Sequence, residues 1–279
     1  MRRPAVAGQF YAGSRGALLR QIEGCYLHQL GPGRLPKPGR GERRIVGMVS
    51  PHAGYMYSGP VAAHGFFRLA SDGMPESAVI IGPNHTGMGS GVSLMESGEW
   101  ETPLGRMKID AELARRILDE SDIIDADEEA HIYEHSVEVQ LPFIQHIFGD
   151  RLRFVPICMM FQDERTSLEV GEAIARACSG RDVLVIASTD FTHYEPQEVA
   201  SRKDGMAIER IVAMDARGLI RLVEEKNITM CGSGPVAAML TACGGMGAKR
   251  AELLKYATSG DVAGLMAEVV GYASIVIER

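Results

Sequence analysis

The residues best suited to chemistry sit just beyond short apolar runs. IVGMVSPHAGY carries His52, VIIGPNHTG carries His85, and VLVIASTDFTHY carries Asp190 and His193. A further segment, MCGSGPV, places Cys231 ahead of a helical pattern. Imidazole and thiolate are borderline-to-soft donors, so His52, His85 and Cys231 make a donor set for Fe, Cu or Zn. Three protein ligands leave positions open for water, dioxygen or a substrate. On this reading His193 moves protons and Asp190 orients it. The helix after Cys231 should direct its N-terminal amides and dipole at the sulfur and favour the thiolate. The same residues also suit a metal-free hydrolase or transferase, with Cys231 as nucleophile, His193 as base and Asp190 as orienter. A third reading is a non-catalytic module whose pocket holds a small molecule, a peptide or a partner protein.

The segment EHSVEVQLPF adds Glu134, His135 and Glu138. As the start of a helix over about 134 to 148, it puts Glu134 and Glu138 on one face, four residues apart. They are then either a solvated acidic helix start, or neighbours of a His135 that lines the site as a further catalytic residue. His28, His64, His131 and His146 lie in helical or acidic stretches without a partner motif and read as polar surface. Cys158 in FVPICMMF and Cys178 at the end of a helical pattern read as core.

The elements around these residues must bring them together. Strand-length apolar runs alternate with stretches of helical period, which predicts an α/β/α sandwich around a mostly parallel or mixed sheet. Strands are expected at 43–50, 77–82, 153–160 and 182–188, and two late ones at ELLKYAT and YASIVIER, the second buried in the main sheet. A strand pair is expected around Glu99 to Gly105. Helices are expected from about Ser14, near 60–70, at 110–120, at 163–178, across 198–225 and from Pro235. AGQFYAG reads as strand or loop. In such sheets the carboxyl ends of the strands converge on one crevice, so His52, His85, His193 and Cys231 are expected in one cleft. No stretch is rich enough in linker residues to divide the chain, and one domain over 1–279 is expected.

Composition narrows the classes. Of 279 residues, 46% are hydrophobic and 23% charged, values of an ordinary globular chain with a sizeable core. A net charge of -7 speaks against nucleic acid as partner. The arginine groups at Arg2–Arg3 and Arg40–Arg44 flank Gly or Pro and read as solvated loop. No apolar stretch reaches the ~20 residues of a membrane span, and the first residues lack the apolar run of a signal peptide. Five cysteines without a CxxC pair suit a reducing compartment, so a cytoplasmic location is expected.

Several segments in series then resemble one family. RRPAVAGQFYAG, SPHAGYMYSGPVAAH, GPNH, TPLG, DEEAHIYEHSVEVQLPF, VPICM, ASTDFTHY and MCGSGPVAAML follow the order found in the Memo family, nearly end to end. Memo proteins are similar to the catalytic subunit of class III extradiol dioxygenases, non-haem iron enzymes with the metal at strand ends. The resemblance implies that His52, His85 and Cys231 hold Fe or Cu, with His193 and Asp190 in the acid-base position of an oxidoreductase. Cys231 stands where the dioxygenases use a carboxylate, so ring cleavage does not follow. The resemblance also implies radical-SAM and AMMECR-type proteins as partners.

Overall fold

The computed structural model describes residues 1–39 and 41–279. In chain order the elements are α1 (Arg15–Leu27), β1 (Ile45–Ser50), α2 (Gly59–Asp72), β2 (Ser77–Pro83), β3 (Val92–Leu94), β4 (Glu99–Thr102), β5 (Gly105–Lys108), α3 (Ala111–Asp119) and β6 (Asp125–Ala126). There follow α4 (Leu141–Phe148), β7 (Arg153–Met159), α5 (Glu164–Ala177), β8 (Val183–Ser188), β9 (His193–Glu195), α6 (Gln197–Val212), α7 (Ala216–Lys226), α8 (Ser233–Gly245), β10 (Arg250–Thr258), α9 (Ser259–Ala263) and β11 (Val269–Glu278).

The main sheet runs β10-β11-β1-β8-β2-β7-β3-β6, with β9 paired to β11. Its centre is parallel: β1 pairs β8, β8 pairs β2 and β2 pairs β7, all in the same direction. Every residue of β1, β2 and β8 is buried, which is why these strands are continuous apolar runs instead of alternating ones. The flanks turn antiparallel, β11 against β1 and β3 against β7. YASIVIER lies inside the sheet, between β10 and β1.

Helices cover both faces, and two neighbouring residues of β1 show how. A Cβ on Gly47 would lie 2.5 Å from Cys243 Sγ and 2.8 Å from Met239 Sδ, both on α8. The next residue, Met48, reaches the other way toward Gly65 of α2. Successive strand side chains point to opposite faces, so α8 and α2 are the two outer layers. Glycine at 47 lets α8 approach closer than any side chain would permit. The three-layer mixed α/β arrangement is the expected one.

The helix starts follow capping chemistry. Asp110, Asp163 and Asp215 each accept an amide from the first turn of α3, α5 and α7, contacts worth about 0.5–2 kcal/mol apiece.

Local expectations differ from the structure in several places. The helix expected over 198–225 is two helices, because Met214 takes a left-handed conformation (φ 57°) and Asp215 caps a fresh start. The helix expected from 134 begins at Leu141, behind a 3-10 turn at Glu138–Gln140. Glu134 and Glu138 are therefore not a solvated helix start; both are fully buried. Arg2 is buried too, not loop surface: it donates to Glu138, to the His131 and Glu134 carbonyls, and lies over Trp100 at 4.0 Å. Arg43 is half-buried against Asp72 and Asp182. Arg40, named in the same arginine run, lies outside the described residues. His131 is a core residue with 0% exposure. AGQFYAG is a loop, closed by a Gly8 N–H to Tyr11 carbonyl bond of 2.7 Å. Cys158 and Cys178 are buried as expected.

Candidate metal centre

The parallel strands β1, β8 and β2 are adjacent, so their carboxyl ends deliver His52, Asp190 and His85 to one edge. Cys231 comes from the turn before α8. One ligand atom each from His52, His85 and Cys231 lies within 4.8 Å of the other two. His52 Nε2 stands 3.4 Å from Cys231 Sγ, and the His52 and His85 rings meet edge to face at 5.2 Å.

The hydrogen bonds fix which nitrogen of His52 faces the cluster. The Gln140 amide nitrogen donates to the Pro51 carbonyl and to Ser188 Oγ. The Ser188 hydroxyl proton goes to the Ser136 carbonyl at 2.6 Å. Ser188 Oγ can therefore only accept from His52 Nδ1, 2.9 Å away. The proton sits on Nδ1, and Nε2 is left with a lone pair directed at Cys231. Burial pushes the His52 pKa down, helped by His135 and His85, so this imidazole is neutral, as a ligand must be.

His85 is oriented by Glu134, a role that helical spacing in EHSVEVQLPF does not reveal. Its Nδ1 lies 2.9 Å from Glu134 Oε1, and its own amide donates to Oε2 at 2.5 Å. The amides of His135 and Ser136 donate to Glu134 as well. Burial alone would raise the Glu134 pKa. The bond to His85 and the nearby His85 and His135 rings outweigh it and hold the carboxyl well below its usual range. The result is a carboxylate-histidine pair that leaves Nε2 for a metal. His85, Glu134 and His135 also form a second close donor group. With four hydrogen bonds already made, the Glu134 carboxylate is an orienting group there. The His135 ring stacks on His85 at 4.6 Å and meets the tilted Phe10 ring at 4.7 Å, and burial pushes its pKa down to about 4.

Asp190 and Cys231 are tied together. The Asp190 amide donates to Cys231 Sγ at 3.2 Å, and the Cys231 amide donates to the Asp190 carbonyl at 3.3 Å. The Asp190 carboxylate accepts the His52 main-chain amide at 2.8 Å. Asp190 thus joins the His52 and Cys231 loops, and among the described residues it makes no hydrogen bond to His193. The orienter of His193 is Thr229: Nδ1 lies 2.8 Å from its carbonyl, which assigns the proton to Nδ1 and leaves Nε2 as a base. His193 is close enough for its charge to act on both His52 and Asp190, yet it stands outside the three-residue donor group.

The expected effect of α8 on Cys231 is not what the structure provides. The helix starts two residues later, at Ser233; the Gly232 amide before it donates to Thr189 Oγ1, and the Gly234 amide in its first turn donates to Gln162 Oε1. Burial, then the Asp190 charge, pushes the Cys231 thiol up to about 12. A bare thiolate is not stable here; a bound cation is what would make it one. Glycine at 232 is required, because a Cβ would lie 2.7 Å from the Ser188 carbonyl oxygen.

Comparison with known proteins agrees with the segment-by-segment resemblance. The family model described as Memo-like protein matches residues 2–276. A MEMO1 family protein of Methanothermobacter thermautotrophicus is 57% identical over 277 residues, covering 99% of each chain. A MEMO1 family protein of Methanopyrus kandleri is 53% identical over 280 residues, covering 100% of this chain and 99% of its own. The crystal structure of an uncharacterized protein from Escherichia coli K12 shares the fold at TM-score 0.53 and 14% identity, covering 84% of this chain and 99% of its own.

Proposed function

The chain belongs to the Memo-like protein family, and on that premise we propose that it binds one transition-metal ion, Fe or Cu, through His52, His85 and Cys231 and uses it in oxidoreductase chemistry. The observation that carries this reading is the donor set itself. Three ligand atoms from three separate loops lie within 4.8 Å of one another, and the other nitrogens of both histidines are already occupied by Ser188 and Glu134.

A metal bound there would supply Lewis acidity and one-electron redox chemistry, with coordination positions left open. The protein's residues would do the rest. Glu134 and Ser188 hold the two imidazoles in the tautomer that presents Nε2. Asp190 keeps the His52 and Cys231 loops in register. His193, with Nδ1 fixed on Thr229, is free to take or give a proton at Nε2.

The metal-free nucleophile reading needs a thiolate near neutral pH, and at the half-buried Cys231 desolvation and the Asp190 charge work against one. Alkylation separates the two. Iodoacetamide should modify Cys231 slowly, and slower still after the protein is loaded with metal. Rapid modification of the metal-free protein near neutral pH, unaffected by added metal, would favour the nucleophile.

A further inference from the structure

Among the described residues, four other than glycine have positive φ: Arg43 (48°), Tyr194 (59°), Met214 (57°) and Asn227 (48°). Three of these are compensated within the fold. Arg43 gains ion pairs to Asp72 and Asp182. Met214 packs against the core at the turn between α6 and α7. Asn227 ends α7, a place where asparagine tolerates the left-handed form. Tyr194 has no such return. Its side chain is 73% exposed, and its hydroxyl makes no hydrogen bond among the described residues. For a bulky residue this backbone is a true outlier.

The neighbours explain why Tyr194 cannot relax. The His193 amide donates to Thr229 Oγ1 at 2.7 Å, and that hydroxyl donates back to the His193 carbonyl at 3.2 Å. On either side, His193 pairs with Val270 and Glu195 with Val269, with a register irregularity between. The turn aims His193, but asparagine or glycine would serve it with less strain. The large ring is unexplained by packing, and it stands beside His193 at 5.7 Å, edge to face. Uncompensated strain next to a functional group points to a ligand that supplies the missing contact.

We propose that Tyr194 is a specificity-determining residue, whose ring forms an outer wall beside His193 and selects ligands carrying a flat apolar group behind the head held at His52, His85 and Cys231. This rests on the metal reading above.

The test compares acetohydroxamate with benzohydroxamate, which share a chelating head and differ in the ring, on zinc-loaded protein by calorimetry. Wild type should favour the ring-bearing compound by about 3- to 10-fold more than Tyr194→Asn does, the size of one aromatic contact. Tyr194→Phe should keep the preference. Acetohydroxamate alone should bind all three alike. The Asn variant should melt at the same temperature as wild type or about 1 to 3 °C higher, because asparagine accepts the left-handed backbone. An equal ring preference in wild type and Tyr194→Asn, or a fall of several degrees in its melting temperature, would overturn the proposal. Failure of acetohydroxamate to bind any of the three loaded proteins would instead remove the metal reading, and this inference with it.

Discussion

Glu134 shows how far a site depends on residues that never touch a ligand. Its carboxylate takes the His85 ring and three main-chain amides, so the loop from 134 to 136 and the His85 loop share one anion. Replacing it by Gln keeps the shape but removes the charge that polarises His85. Glu134→Gln should weaken metal binding about 10- to 100-fold with little change in fold, measured by competition with a chromophoric chelator. Unchanged affinity would leave Glu134 a purely structural residue. His131 carries a second prediction. It is fully buried, neither ring nitrogen has a hydrogen-bond partner among the described residues, and its ring meets Trp100 edge to face at 5.7 Å. Burial, then the Arg2 charge, lowers its pKa from 6.5 to about 4. Since the folded value lies below the unfolded one, its contribution is fully present above about pH 6.5 and is lost as pH falls toward 4, where the unfolded chain binds the extra proton. The loss amounts to roughly 3 kcal/mol over that window. His135, depressed for the same reason, adds to it. Denaturant midpoints of the metal-free protein should drop between about pH 7 and about pH 5, and His131→Phe should drop less. An identical drop in both proteins would show that His131 is not the group involved.

The elements that place the candidate site were largely legible in the sequence. β1, β2 and β8 are unbroken apolar runs, buried on both faces, and a histidine or aspartate follows each within a few residues. The start of α8 at a first-turn proline also showed. What stayed hidden has a common cause: local pattern does not reveal tertiary partners. EHSVEVQLPF has helical spacing, but Glu138 is drawn out of a regular helix by Arg2, Tyr11 and the Ala5 and Val6 amides, all more than 120 positions away. The same long-range pull made Arg2 a core residue and His131 a buried one. Thr229 as orienter of His193, and Ser188 and Gln140 as the pair that sets the His52 tautomer, carry no motif; only the folded geometry assigns them. The break between α6 and α7 did have a signal, an aspartate at 215 in a capping position, which helical periodicity on both sides outweighed.

At the scale of the molecule, one large apolar cluster runs from Val6 to Ile277 and takes in residues of every strand in the centre of the sheet. We propose that the chain unfolds as one cooperative unit. Trp100, the single tryptophan, packs between Arg2 and Phe154 and reports on that one place, while far-ultraviolet circular dichroism reports on the whole backbone. The two signals should change at one temperature in the metal-free protein, and separated transitions would show independent units. No helix among the described residues is long and apolar enough to cross a membrane. The central claim, that His52, His85 and Cys231 together hold a metal, is tested most directly by elemental analysis of protein purified without air, beside its variants. Wild type should carry close to one Fe or Cu per chain and His193→Ala nearly as much. Cys231→Ser should retain far less, because a neutral hydroxyl replaces an anionic soft donor, and His52→Ala and His85→Ala least of all. Full metal in Cys231→Ser, or metal content that does not differ among the variants, would contradict the shared site.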